Sequence, residues 1–240
     1  MSDRPLPLQA HLEELRRRIL WSFYFWIFTT VLAFLAYPWV LKFFLLPLGE
    51  YRTVVLSPAE GLIVVAKICL FAGALAAAPF WLYQLWAFLR PALYPQERRM
   101  VLRIFPILLF LLLLGFAFGY WVLAPLALRF LLAFSSEYFQ PMISTGRYFS
   151  FLFWMILDSG IIFLIPLFSY LLTVAGILTP AFFRHYWKYM IVGIFLLAGI
   201  LTPSPDVLSQ LVLAGPLLLL WGSAYIISVM AFRRKGVPHG

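Results

Sequence analysis

The chain has 240 residues, of which 64% are hydrophobic and only 11% charged, against roughly 25% charged in a soluble domain. No soluble fold of this length could hide so much apolar surface, so the bilayer is its solvent. The excess of 18 basic over 9 acidic residues is spread beside hydrophobic runs rather than gathered in one patch, which excludes nucleic acid as the partner.

In chain order, a basic segment precedes an uncharged run over 19–41. The run is too long for a signal peptide and lacks a small-x-small cleavage site, so it reads as a retained first helix. Further uncharged runs cover 68–89, 104–128, 189–205 and 207–232, and Asp158 is the only charge between Arg147 and Arg184. Each run approaches the roughly 20 residues that span hydrocarbon as a helix. Backbone groups in lipid must pair internally, so these runs are expected to be helical. Ser57-Pro58-Ala59-Glu60 reads as a helix start, with Ser57 as N-cap, Pro58 in the first turn and Glu60 closing a capping box.

The expectation is an all-α integral membrane protein forming a single transmembrane domain over 1–240. It has an amphipathic N-terminal segment at about 5–18 and six spans at about 17–37, 58–89, 98–124, 146–173, 180–202 and 205–232. The fifth and sixth are expected to be short. Loops are expected at about 38–57 and 125–145. Prolines 79, 106, 166 and 216 fall inside the spans and predict kinks, hence a concave bundle.

Orientation follows from charge. Thirteen basic residues, among them Arg16, Arg99, Arg184 and Arg234, lie on the side of the two termini; Lys42, Arg52, Arg129 and Arg147 lie on the other. The positive-inside rule then puts both termini in the cytoplasm. Lys67 lies within the second span, where it can snorkel.

Nothing in the chain points to catalysis. His11, His185 and His239 lie outside the spans, Cys69 is alone, and Gly222-Ser223 has no base beside it. No metal or cofactor is expected. Polar residues in or near the apolar runs are Gln84, Asp158, Thr202, Asp206 and Gln210. Asp206 and Gln210 share a helix face. The terminal side carries four acids: Asp3, Glu13, Glu14 and Glu97. Glu13 and Glu14 stand four residues before Arg17 and Arg18, so ordinary helix pairs could satisfy both.

Three separated segments carry a resemblance. His11-Leu12-Glu13-Glu14-Leu15-Arg16-Arg17-Arg18 resembles the H-L-x-E-L-R-x-R start of the TatC family, the core subunit of the twin-arginine protein translocase. Residues 83–99, YQLWAFLRPALYPQERR, are similar to its first cytoplasmic loop, and 201–210, LTPSPDVLSQ, to its last periplasmic turn. The resemblance runs from about 8 to 232. It implies a receptor, not an enzyme, in the bacterial inner membrane. Such a receptor binds twin-arginine signal peptides of folded cargo at the cytoplasmic face. It self-associates and assembles with TatA-like and TatB-like single-span partners, and the proton-motive force drives transport.

By position, the resemblance makes Glu14 and Glu97 the carboxylates that meet the two arginines. A guanidinium offers a planar fork of donors that a carboxylate accepts in two places. Arg16 and Arg99 would orient these acids, and Phe88, Leu93 and Tyr94 would shape the adjoining wall. Thr202, Asp206 and Gln210 match a polar cluster linked to partner binding, and Pro47 a proline with a structural role. One departure stands out. The family often has a glutamate in an F-E-x-P context in the fourth helix, where this chain has Phe163-Leu164-Ile165-Pro166. Asp158 lies six residues earlier, about 9 Å along a helix and on another face, so it is no simple substitute. The rival reading, a small-solute secondary transporter, requires a polar pocket at mid-bilayer, for which the spans offer few groups.

Overall fold

The computed structural model describes residues 8–92, 95–136, 142–201 and 207–234. The fold is all-α. Among the described residues, nine α-helices follow one another: α1 (Leu8–Leu35), α2 (Tyr37–Leu45), α3 (Pro58–Leu89), α4 (Pro95–Phe118), α5 (Ala124–Ser136), α6 (Thr145–Ile162), α7 (Ile165–Val174), α8 (Pro180–Leu201) and α9 (Val207–Arg234). Two-residue strands, β1 (Thr53–Val54) and β2 (Ile143–Ser144), are the only strands among them. Among the described residues, four helical stretches are long and apolar enough to cross a membrane: His11–Leu35, Pro58–Leu89, Leu102–Arg129 and Thr145–Val174.

The boundaries have local causes. Ser57 is extended (φ −147°, ψ 152°) and its Oγ accepts the Glu60 N–H, with Pro58 opening α3. The loops expected at 38–57 and 125–145 are partly helical instead. Pro38 opens α2, and α5 continues the path of α4 through a π-turn at Gly119–Leu123. Pro125, just inside α5, has no N–H and its ring crowds the carbonyl four residues back; the wider π-turn accommodates both. Pro166 does more than kink its span. It separates α6 from α7 at Phe163–Leu164, where Leu164 N–H reverts to the Ile161 carbonyl three residues back. α7 ends in a left-handed Gly176 (φ +83°), whose N–H bonds the Thr173 carbonyl while Ile177 N–H bonds that of Leu172. That is a Schellman stop, which only glycine adopts without strain.

The chain divides into two compact units. The first comprises Met1–Gly49, Thr53–Leu109 and Ser144–Phe149. Its centre is the antiparallel pair α1–α3, whose register is set by aromatic rings and one glycine. Phe25 stacks on Phe80 with centroids 4.3 Å apart. The Trp81 indole N–H donates to the Ser22 carbonyl, and that of Trp26 to Leu70, both at 3.1 Å. At Gly73 a Cβ would lie 2.3 Å from Thr30 Oγ1; its absence lets α1 come close enough for Thr29 Oγ1 to reach the Gly73 carbonyl at 2.9 Å. Many apolar side chains of α1 are exposed, Trp21, Tyr24 and Phe28 among them, as suits a helix whose solvent is lipid. At the other end of α3, Glu60 Oε1 accepts from Ser144 Oγ (2.8 Å) and Gly146 N–H (2.9 Å), and Oε2 from Leu56 N–H (2.5 Å). Buried Tyr148 donates its hydroxyl to the Phe44 carbonyl at 2.7 Å.

The second unit comprises Glu50–Arg52, Phe110–Ile143 and Ser150–Gly240. α4 and its π-turn meet α6 at Gly115 and Gly119, backbone against backbone. α7 and α9 are clasped by hydroxyls. Ser169 Oγ donates to the Ala224 carbonyl (3.1 Å), and Thr173 Oγ1, itself donating to the Ser169 backbone carbonyl, lies 2.8 Å from Ser228 Oγ. Thr173 and Ser228 are buried. Ser228→Ala is expected to lower the unfolding free energy in detergent by about 0.6–2 kcal/mol, the usual range for one interhelical hydrogen bond in a membrane protein. Combining it with Thr173→Val should add less than the sum of the two losses, as for groups sharing one bond.

Candidate functional site

The N-terminal end of α1 and the C-terminal end of α3 form a cleft of about 640 Å³. From α1 come Glu13, Glu14, Arg17, Arg18 and Trp21; from α3 come Tyr83 and Gln84. α3 has 32 residues, about 48 Å at 1.5 Å per residue, well beyond a hydrocarbon core of about 30 Å. The cleft therefore lies on a helix end that can stand clear of lipid.

His11 stacks on Phe88 with ring centroids 4.4 Å apart and anchors the start of α1 to α3. Two turns on, Arg18 gives two donors to a single oxygen of Glu14: Nη2 at 2.6 Å and Nε at 3.0 Å from Oε1. Arg18 Nη1 reaches across to Gln84 Oε1 at 3.1 Å. The Glu14 and Arg18 side chains are 25% and 26% exposed, screened enough for the pair to hold its geometry. Among the described residues this is the one ion pair. Glu13 and Arg17, at the same spacing, are both exposed and do not bridge. The N-terminal face thus offers one carboxylate held by a guanidinium, Glu14, and one exposed and not bridged to its helix neighbour, Glu13.

Of the residues singled out from sequence, Glu14 and Phe88 are brought to this cleft and its margin, and Arg16 is exposed on α1. Leu93 and Tyr94 lie outside the described residues, as do Thr202 and Asp206; of Glu97 and Arg99 only the helical backbone of α4 is described. Gln210 donates from α9 to the Phe195 carbonyl of α8 and packs beside Gly199. Pro47 sits in a 3-10 turn, Leu46–Leu48, closed by left-handed Gly49. Asp158 is buried in α6 at 5% exposure, and its Oδ2 has no partner among the described residues. Gln84 was legible only as a polar residue near an apolar run; its link to Arg18 spans 66 positions and left no local signal. No cluster of three or more potential metal ligands occurs among the described residues.

The model of one family, Sec-independent protein translocase protein (TatC), matches residues 10–216. The chain belongs to the TatC family. Among its TatC relatives, that of Carboxydothermus hydrogenoformans is 34% identical over 230 residues, 95% of each chain. That of Aquifex aeolicus is 35% identical, covering 96% of this chain and 98% of its own. A crystal structure of a twin arginine translocase receptor, TatC, superposes with TM-score 0.74 at 34% identity, covering 92% of this chain and 99% of that one. A second, in DDM, gives 0.77 at 35% identity, with 91% and 99% covered. This TatC-family chain is thus a protein translocase component with several apolar, membrane-crossing helices. At Phe163–Leu164, just before Pro166, the helical path tightens to a single three-residue turn before α7 resumes.

Proposed function

We propose that this chain is the signal-peptide receptor and core subunit of a twin-arginine translocase. It sits in a bacterial plasma membrane as six spans with both termini in the cytoplasm, as the thirteen-to-four basic asymmetry favours. Glu14 and Glu97 accept the two adjacent arginines, Arg16 and Arg99 orient those acids, and Phe88, Leu93 and Tyr94 line the adjoining wall. Thr202, Asp206 and Gln210 form the polar cluster that meets single-span TatA-like and TatB-like partners. Copies of the chain associate within the receptor complex, and the proton-motive force drives export.

The observation that carries the reading is the Glu14 carboxylate, ordered in a cleft between α1 and α3 and paired there with a guanidinium. Two acceptors from separate segments are what two neighbouring arginines require. The test is photocrosslinking in inverted membrane vesicles, with a twin-arginine peptide carrying the crosslinker beside its arginine pair. Adducts are expected near Glu97. The double variant Glu14→Ala, Glu97→Ala should lose them, while adducts of undiminished yield would remove these residues from the site.

A further inference from the structure

Arg18 does not pair with Glu14 in the usual way. A guanidinium and a carboxylate normally meet fork to fork, one N–H on each oxygen. Here both donors converge on Oε1, and Oε2 receives no bond from any described residue. The third point of attachment is Gln84 Oε1, a neutral acceptor from the neighbouring helix. Arg18 thus stands between two acceptors, one charged and one not, and is about a quarter exposed. Nothing locks it to Glu14 except a helix-spaced pair of the kind that is weak when part-exposed.

We propose that Arg18 is a built-in competitor for the arginine of the cargo. In the empty protein it occupies Glu14; when an incoming guanidinium takes the carboxylate by both oxygens, Arg18 withdraws onto Gln84. The proposal rests on Glu14 being an arginine acceptor. Two guanidiniums on one carboxylate repel, so full engagement of the ligand and retention of Arg18 oppose each other. The Gln84 bond is present before and after the exchange, so it does not set the cost; it holds Arg18 inside the cleft, where it can return to Glu14.

The consequence is a threshold rather than a filter. If the Arg18–Glu14 pair has formation constant K, every ligand of Glu14 binds more weakly by the factor 1 + K. That factor is the same for an arginine and a lysine, so the ranking of ligands is untouched. What falls is occupancy by any basic segment of modest affinity.

The test uses the full chain in nanodiscs of phosphatidylethanolamine and phosphatidylglycerol. Binding is read by anisotropy of fluorescent peptides bearing Arg-Arg or Lys-Lys before an apolar segment. Arg18→Gln is expected to tighten both peptides by the same factor, roughly 2–5, the range for releasing one part-exposed ion pair. Arg18→Lys, a competitor with a single point charge, should fall between. Weaker binding in Arg18→Gln would show that Arg18 only positions Glu14, and unchanged binding would show no competition; either overturns the proposal. Glu14→Gln separates the two layers. If it leaves affinity intact, the site reading fails and the proposal falls with it. If it weakens binding while Arg18→Gln does not tighten it, the proposal alone fails.

Discussion

A Gly119→Val protein is expected to be recovered from membranes at a small fraction of the wild-type yield and with a lowered melting midpoint. A Cβ at Gly119 would lie 2.7 Å from the Met155 carbonyl oxygen and 2.9 Å from the Ile156 Cα; one at Gly115 would lie 2.7 Å from both the Gly160 Cα and the Ser159 carbonyl oxygen. All four are backbone atoms, which cannot turn aside as a side chain can. Relief requires separating α4 and its π-turn from α6, and with them buried Leu152, Met155 and Ile156. Overpacking of a core costs about 1–3 kcal/mol, occasionally more, and a clash of backbone with backbone belongs at the top of that range. Native proteins hold only about 5–15 kcal/mol in total. Gly222 makes the contrast, since a Cβ there meets nothing within 4 Å. Gly222→Ala should match or exceed the wild-type midpoint, because alanine is the better helix residue by about 0.5–1 kcal/mol. Monodisperse yield on size exclusion and the midpoint in one detergent decide the matter. A Gly119→Val protein as robust as wild type would mean that α4 and α6 do not cross so closely.

Glu14→Gln is expected to cut the export rate of a folded twin-arginine reporter at least tenfold. The substitution keeps size and shape and removes only the charge. Hydrogen bonds to a charged group are worth about 1.5–3 kcal/mol, and each 1.4 kcal/mol is a factor of ten in affinity, so roughly 10–100-fold is at stake. Glu13 supplies the control, as an exposed neighbour in the same cleft that is not bridged to Arg17. Glu13→Gln should export at close to the wild-type rate. Equal losses in the two variants would point to the net charge of the face rather than to one acceptor. Protein levels by immunoblot must be matched for the comparison to hold.

Much of this arrangement was readable from the residues in order. Absence of charge over 19–41 and 68–89 marked the apolar cores of α1 and α3, because lipid leaves a helix no alternative way to pair its backbone. Ser57-Pro58 marked the start of α3, because capping is decided within four residues. Glu14 and Arg18 were legible as a pair for the same reason. Three things were not. The helix α2 sits where a loop was expected, since nine residues with a proline in the first turn do not announce themselves against a long apolar background. Pro166 was legible as a kink, but whether a proline bends a helix or breaks it depends on what the neighbours can satisfy. The placement of Gln84 against Arg18, and of Ser144 against Glu60, joins residues 66 and 84 positions apart. Such pairings are properties of packing, and no local pattern encodes them.

The π-turn at Gly119–Leu123 has a consequence for any residue-by-residue scan of this helix. A single π-turn places one more residue per loop than the α-helix expects, and each residue turns the chain by 100°. The sensitive positions before Gly119 should recur with one angular phase and those after Leu123 with another, displaced by about that angle. A helical wheel drawn through both halves would smear two clean stripes into one diffuse pattern. Plotted separately, Leu112 and Gly115 fall on the tightly packed stripe of the first half, and Ala124, Ala127 and Leu128 on that of the second.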